Sequence, residues 1–318
     1  LLDFVGYQDV VTFTGSASTG IQLKSNPNII REAVPFNMEA DSLNCIILAA
    51  DAAPGTPEFD VFIKEVRKEM TVKCGQKCTA IRRIIVPEDY IEDVQVQIGK
   101  SLASTVIGDP RVEGVRMGAL AGKNQLSEVK EKVSQLLEHS TLVYGNLDQY
   151  EVAHGDIDKG AFLAPILLRN DHPFDQKGSH EIEAFGPVST IMPYKNLEEA
   201  IELSKMGRGS LCSSIVTFDD RIATDYTIQA ATNHGRILVL NRESAKESTG
   251  HGSPMPMLVH GGPGRAGGGE EMGGMRGVKH YMQRCAIQGT PTTLSAITQQ
   301  YQYGGKYIDG NKHPFKKY

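Results

Sequence analysis

No stretch of this sequence approaches the ~20 consecutive apolar residues that a membrane span needs. Basic residues are not in excess either. Lys and Arg number 33 against 38 Asp and Glu, a net charge of −5, which argues against a general nucleic-acid surface while leaving room for a local patch that suits a phosphate-bearing substrate. Cysteine is scarce and odd in number, at 45, 74, 78, 212 and 285, so a secreted disulfide framework is a poor reading of a chain this large. The pair Cys74-x-x-x-Cys78 has no second Cys or His pair at ligand spacing, and no metal is expected. Leu1 to Val5 show neither a basic leader nor an apolar signal core, nor an initiator Met. A cytoplasmic protein seen from somewhere in its middle is the expectation. What remains is ordinary globular material, 40% hydrophobic and 22% charged over 318 residues, enough for about two domains.

The pattern alternates strand and helix. Val10 to Thr14 is a run of β-formers stopped by Gly15-Ser16, followed by a helix from Ser18 to Lys24 that ends near Asn26-Pro27. Val34 to Met38 runs extended into Glu39. Phe59, Phe62, Ile63, Val66 and Met70 fall on one face of a helix. Ile81 to Val86 predicts a strand, as do 141–144, 162–168 and 188–194, with helices near 89–104 and 124–138. Asn196 with Glu199 resembles a capping box. Ile215 to Phe218 and Ile237 to Leu240 predict strands around a helix from 220 to His234, for which Gly235 is the expected left-handed cap. The alternation means an α/β fold. Residues 261–277 hold too many glycines for a helix or strand. A linker is one reading; a loop whose backbone passes close to other backbone or to a ligand is preferred, because Val278 to Met282 looks ordered.

Three segments carry possible chemistry. Gly15-Ser16-Ala17-Ser18-Thr19-Gly20 follows a strand and opens a helix, an arrangement that lets a phosphate approach backbone N–H groups; alone it is equally a tight turn. Gly75-Gln76-Lys77-Cys78 places a thiol beside a lysine that could lower its pKa; the alternatives are a buried inert Cys or a redox pair with Cys74. Glu39 ends an apolar strand, where burial would raise its pKa toward that of a base; a solvated charge is the bland alternative.

Their order, together with Glu183-Ala184-Phe185-Gly186-Pro187-Val188, Gly160 to Pro165 and the Gly-rich block, resembles the aldehyde dehydrogenase superfamily from Val10 to about Gln288. The resemblance implies a Rossmann-like coenzyme domain, a catalytic α/β domain and a small oligomerisation strand region. Residues 1–41 would be the second half of the NAD(P)-binding domain and 42–270 the catalytic domain. Residues 271–295 would return to the coenzyme domain or form an oligomerisation segment, with 278–290 the candidate pairing strand of a homo-oligomer. It further implies Cys78 as nucleophile and Glu39 as base. Gly15, Ser16, Gly20, Glu183 and Phe185 would hold NADP or NAD.

Asn37 to Asn44, Gly75 to Arg83 and Glu243 to Pro254 are similar to the dehydrogenase half of the bifunctional proteins of bacterial phenylacetate breakdown. That closer likeness implies oxidation of a CoA-linked aldehyde, 3-oxo-5,6-dehydrosuberyl-CoA semialdehyde. Residues 296–318, ending in His313 to Tyr318, would then be a linker towards a fused C-terminal hot-dog-fold oxepin-CoA hydrolase. The family's oxyanion Asn and the first half of its coenzyme domain have no counterpart here, so the 318-residue chain alone is expected to be inactive. Loss of one oxyanion donor typically costs roughly 10²–10³ in turnover. Ala40 and Asp41 replace the family's Leu-Gly-Gly after the base. A dehydrogenase of another semialdehyde and a non-catalytic assembly domain are the rival readings.

Overall fold

The computed structural model describes residues 1–255, 257–271 and 273–306; the expected join at His313 to Tyr318 lies outside them. The chain divides into two compact units, Leu1–Gly277 and Val278–Tyr318. The first opens with β1 (Val11–Thr14), α1 (Ala17–Lys24), α2 (Pro27–Arg31) and β2 (Phe36–Glu39). β1 and β2 pair in parallel, with Thr14 opposite Glu39. α1 ends at Lys24, as expected just before Asn26-Pro27, and that pair then opens a second helix, α2. Asn26 accepts the N–H of Asn28 and Pro27 takes the first helical position, where its missing N–H has no intrahelical partner to lose.

Next come β3 (Cys45–Leu48), α3 (Pro57–Thr71), β4 (Arg83–Pro87), α4 (Ile91–Ala103), α5 (Lys123–Leu137), β5 (Thr141–Tyr144) and β6 (Ile166–Arg169). They are followed by α6 (Gly178–Glu181), β7 (Val188–Tyr194), α7 (Leu197–Lys205), β8 (Ser213–Val216), α8 (Asp220–Ala230) and β9 (Ile237–Leu240). The seven strands form one sheet in the order β5-β6-β7-β4-β3-β8-β9, parallel except for the antiparallel β5–β6 edge. The strand expected over 162–168 starts only at Ile166, after Pro165, which has no N–H for a ladder.

Parallel strands covered on both faces alternate their apolar residues between two cores. Ile46, Leu48, Ile84 and Val86 face Phe59, Phe62, Val66 and Met70 of α3 and Ile98 of α4. Cys45, Ile47 and Ile85 face Ala200 and Ile201 of α7 and Tyr226 of α8. The apolar stripe expected on α3 is the buried one, with Ile63 partly buried at its margin. Fully burying Phe62 and Val66 stabilises this packing by about 1.5–3 kcal/mol each. α3 begins where Thr56 Oγ1 accepts the N–H of Phe59, with Pro57 at the first turn. Asn196 caps α7 through the N–H of Glu199, while the Glu199 carboxylate returns to the N–H of Lys195.

Two expectations about glycine resolve differently. Gly235 is not a left-handed cap, since its φ is not positive and α8 has already given way to a 3-10 turn over Ala231–Asn233. Glycine is required there because a Cβ would lie 1.6 Å from Gly261 O. The Gly-rich block does run against other backbone. β10 (His260–Gly261) and β11 (Glu270–Glu271) pair antiparallel, Ala40 N–H donates to Ala266 O and Gly269 N–H to Met38 O. A Cβ at Gly267 or Gly269 would come within 2.4 Å of Met38 O. The block therefore clasps β2, the strand that carries Glu39.

α9 (Gly274–His280) follows, and among the described residues no strand forms between 278 and 290. The expectation of a strand is corrected at the start of the candidate pairing segment, where Val278 to His280 end a helix that begins at Gly274. The second unit contains α10 (Pro291–Thr298), capped by Thr290 through the N–H of Thr293. No described helix is long and apolar enough to cross a membrane.

Candidate active site

Cys78 stands in the connection from α3 to β4, and the backbone before it is bent hard. Lys73 and Cys74 both have φ of 53° and Gly75 has φ of 67°, a left-handed stretch that costs roughly 1–2 kcal/mol at each non-glycine residue. Gly75 cannot carry a side chain, because a Cβ would sit 2.2 Å from Gly186 O. Two fully enclosed polar side chains hold this bend. Asn44 donates to Cys78 O at 2.8 Å and Ala80 O at 3.0 Å. Arg82 donates to Gly75 O at 2.8 Å and Gly186 O at 2.6 Å, tying the Cys78 loop to the loop of Glu183 and Phe185. Arg82 also lies 3.5 Å from the Glu183 carboxylate and 5.4 Å from the centre of the Phe185 ring. Sequence reasoning had passed over Arg82, since a lone arginine at a strand entry gives no local signal.

The thiol opens on a cavity of about 580 Å³ lined by Gly15, Ser16, Glu39, Asp41, Cys78, Glu183, Phe185 and Arg265 among others. Of the residues picked from sequence, only Gly20 is not among the cavity's lining residues. A Cβ on Gly20 would meet Met38 Sδ at 2.5 Å and the Phe13 ring at 3.2 Å, so it serves the packing of α1 on the β1–β2 pair. Ser16 caps α1 through the N–H of Thr19. The N–H of Ala17 is taken by Asp41 Oδ1 at 3.0 Å, and Arg265 lies 3.8 Å from the same carboxylate. The departure at Asp41 thus puts an anion on the helix N-terminus, where such a charge is favoured.

Glu39 and Cys78 do meet, and a third residue stands between them. His260, on β10 and mostly buried, places Nε2 3.1 Å from Glu39 Oε2 and 3.9 Å from Cys78 Sγ. Nothing in the chain order marks His260. It precedes the glycine run, and only the hairpin that clasps β2 brings it to Glu39.

Two electrostatic expectations are overturned. Burial alone would raise the Glu39 pKa, but the hydrogen bond and charge of His260 outweigh it and the carboxyl lies below its ordinary value. Lys77 does not activate the thiol, because its Nζ is bound at 2.7 Å to the buried Glu69 carboxylate. The Cys78 pKa is pushed up to about 12, first by burial, then by the adjacent Glu39 and Glu271 carboxylates. At neutral pH Cys78 therefore rests as a thiol. Burial likewise raises Glu183 to about 7, against the opposing charge of Arg82. Cys74 is sealed in a core with Leu163 and Val188.

A profile of the aldehyde dehydrogenase family matches residues 7–287. The 3,4-dehydroadipyl-CoA semialdehyde dehydrogenase of Aromatoleum evansii is 41% identical over 263 residues, covering 83% of this chain and 51% of that protein. Protein MaoC of Klebsiella aerogenes is 48% identical over 204 residues, 64% of this chain and 59% of that one. The chain therefore spans little more than half the length of these curated relatives. Among solved structures, a mutant of aldehyde dehydrogenase C from Pseudomonas syringae with NAD+ and octanal superposes with a TM-score of 0.74 at 21% identity, over 88% of this chain and 52% of that one. Betaine aldehyde dehydrogenase of Staphylococcus aureus with NAD+ gives 0.74 at 20% identity, over 87% and 51%. At such identity these two speak for the fold alone.

Proposed function

The chain belongs to the aldehyde dehydrogenase family, and from that premise we propose that it supplies the nucleophile, base and nicotinamide-side wall for NAD(P)-linked oxidation of a CoA-linked semialdehyde to its acid. The observation that carries the reading is the convergence of Cys78 Sγ and the Glu39 carboxylate on His260 Nε2, with Cys78 and Glu39 both lining one cavity. The CoA-linked substrate class is supported by the relative named a dehydroadipyl-CoA semialdehyde dehydrogenase, and 3-oxo-5,6-dehydrosuberyl-CoA semialdehyde is the specific aldehyde proposed.

A nicotinamide coenzyme fits the residues present. Glu183 Oε1 and Arg82 Nε are buried with no protein hydrogen-bond partner among the described residues, and sugar hydroxyls would satisfy an acceptor such as Glu183. Phe185 gives an apolar face at the same wall, and the Gly15-Ser16 turn faces the cavity at the start of α1. Bound there, the coenzyme would supply the hydride acceptor that an aldehyde oxidation needs.

The chain's own residues do the rest. Because Cys78 rests as a thiol, its attack on the aldehyde carbon must shed a proton, and the ionised Glu39 carboxylate, within hydrogen-bond reach of the thiol and steadied by His260 Nε2–H, is placed to take it and release it to solvent through the cavity. The backbone N–H of Cys78 holds part of the developing oxyanion. Glu39, ionised at neutral pH, then removes a proton from the water that hydrolyses the Cys78 thioester, releasing the acid and restoring the thiol. General-base assistance of this kind contributes roughly 10²–10⁴ in rate. A hydrolase fused beyond this chain, a homo-oligomeric state and a cytoplasmic location belong to the same proposal.

The test is a Glu39→Gln variant of the intact protein incubated with the CoA-linked semialdehyde and NADP or NAD. It should accumulate an acyl adduct on Cys78, visible by peptide mass, and Cys78→Ser should form none. Reduction of coenzyme by Cys78→Ser, or an adduct on another residue, would sink the reading.

A further inference from the structure

The nucleophile, base and histidine also form a ligand set. A Cys sulfur, a carboxylate oxygen and an imidazole nitrogen, from Cys78, Glu39 and His260, lie within 4.8 Å of one another. The two separations measured individually are 3.1 Å and 3.9 Å. A tetrahedral zinc with bonds of about 2.0–2.3 Å sets neighbouring ligands roughly 3.3–3.7 Å apart, so the two edges that meet at His260 are within a few tenths of an ångström of that geometry. Its three ligands come from β2, the α3–β4 connection and β10, and all three segments are pinned. Asn44 and Arg82 hold the Cys78 loop, and the Gly-rich hairpin is bonded to β2.

The electrostatics favour a cation. The buried Glu39 carboxylate is ionised and, among the described residues, faces only His260 and the Cys78 thiol, and Glu271 adds a second negative charge near the thiol. The neighbouring Lys77 is held by Glu69. Entry is open, because Cys78 and Glu39 both line the cavity.

We propose that this trio captures a soft divalent cation, zinc first among them, with the fourth position facing the cavity, and that the bound ion reversibly blocks the nucleophile. The inference rests on the catalytic reading of Cys78 and adds a mode of regulation to that site. On binding, the sulfur–metal bond replaces the S–H bond and the thiol proton leaves to solvent. The sulfur lone pair is then committed to the metal and cannot attack an aldehyde or an alkylating agent. No oxidant or reductant takes part.

The experiment uses the intact protein carrying Cys285→Ser, which removes an exposed thiol. Titration with Co²⁺ should give one equivalent bound with a thiolate-to-metal charge-transfer band. That band should vanish in Cys78→Ser, and the affinity should fall by about tenfold or more in His260→Ala. In the protein with Glu39, Cys78 and His260 unchanged, Zn²⁺ should protect Cys78 from iodoacetamide and a chelator should restore alkylation. Absence of the band, indifference of binding to both substitutions, or failure of zinc to protect Cys78 would overturn the proposal. A protein that forms the acyl adduct yet ignores zinc loses this inference alone; one that binds metal but forms no adduct loses the dehydrogenase reading instead.

Discussion

Iodoacetamide reactivity gives a direct measure of how Cys78 is held. Burial, Glu39 and Glu271 push its pKa from the ordinary 9.0 to about 12. At pH 8 the thiolate fraction then falls from about one in ten to about one in 10⁴, a factor of about 10³. A more basic thiolate is also more nucleophilic, with a Brønsted slope of about 0.4–0.5, which returns between one and one and a half decades. The net expectation is alkylation about 50-fold slower than an ordinary thiol. Cys285 is exposed in the same chain and serves as the internal reference, both peptides being followed by mass spectrometry from pH 7 to 10. Restricted access would slow Cys78 at every pH, whereas a raised pKa keeps the logarithm of its rate climbing with pH beyond about 9. Glu39→Gln removes one of the raising influences but leaves burial, the largest, so its rate should rise several-fold and stay below that of Cys285. A Cys78 rate at pH 8 equal to that of Cys285, or a plateau below about pH 9, would refute the electrostatic reasoning.

Two further outcomes concern the scaffold. Arg83 is fully buried and donates to Leu43 O, Leu203 O and Ser204 O, with His180 Nδ1 beside it at 3.1 Å; two of these carbonyls belong to the last turn of α7. Arg83→Met strands those acceptors at about 1–3 kcal/mol each, partly offset by removing a buried charge, so a net loss of about 2–4 kcal/mol is expected. A urea midpoint giving a change under roughly 0.5 kcal/mol would contradict it. Arg242 clamps Glu58 at 2.6 Å and 2.9 Å and, by that hydrogen bonding, holds its pKa at about 2 against 4.5. A depressed carboxyl contributes stability that is complete above 4.5 and lost as pH falls towards 2. Glu58→Gln should therefore flatten the acid limb between those values in pH-dependent denaturation, and an unchanged limb would count against the pair.

Where local chemistry decides structure, the sequence was legible. The face of α3, the Asn196 cap and the apolar strands that end at Glu39 and Leu240 follow from side-chain periodicity and N-cap hydrogen bonding, which act over a few residues. Cys78, Glu39, Glu183 and Phe185 around one cavity were reached through motif order. What was missed depends on contacts between distant segments. Lys77 looked like an activator of its neighbour because its partner, Glu69, lies on the preceding helix and points back only once α3 is formed. Gly235 carried a helix-end signal, yet its glycine requirement comes from Gly261, across the fold. Val278 to Met282 looked ordered and 278–290 was the candidate pairing strand; a strand needs a partner ladder, and the chain through His280 continues the helix that begins at Gly274.

The candidate site differs from the rest of the molecule in how its polar atoms are satisfied. Eight buried side-chain atoms lack a well-aligned protein hydrogen bond among the described residues, and five of them belong to Glu39, Arg82, Glu183, His260 and Arg265, Glu39 Oε2 having only its ion-pair contact with His260. Glu39, Glu183 and Arg265 line the cavity, His260 touches Glu39 and Arg82 touches Glu183. Native interiors keep few such atoms, because each costs about 1–3 kcal/mol. Their concentration around one hollow, beside a left-handed backbone at Lys73 and Cys74, is what a fold shows when it holds groups ready for a ligand rather than for one another. Groups fixed in this way need little reorganisation when a polar substrate or coenzyme arrives, and that is the condition under which buried dipoles and charges act most strongly on a reacting centre. The inert alternative, a domain kept for assembly alone, gives no reason for that cost to be concentrated at Cys78.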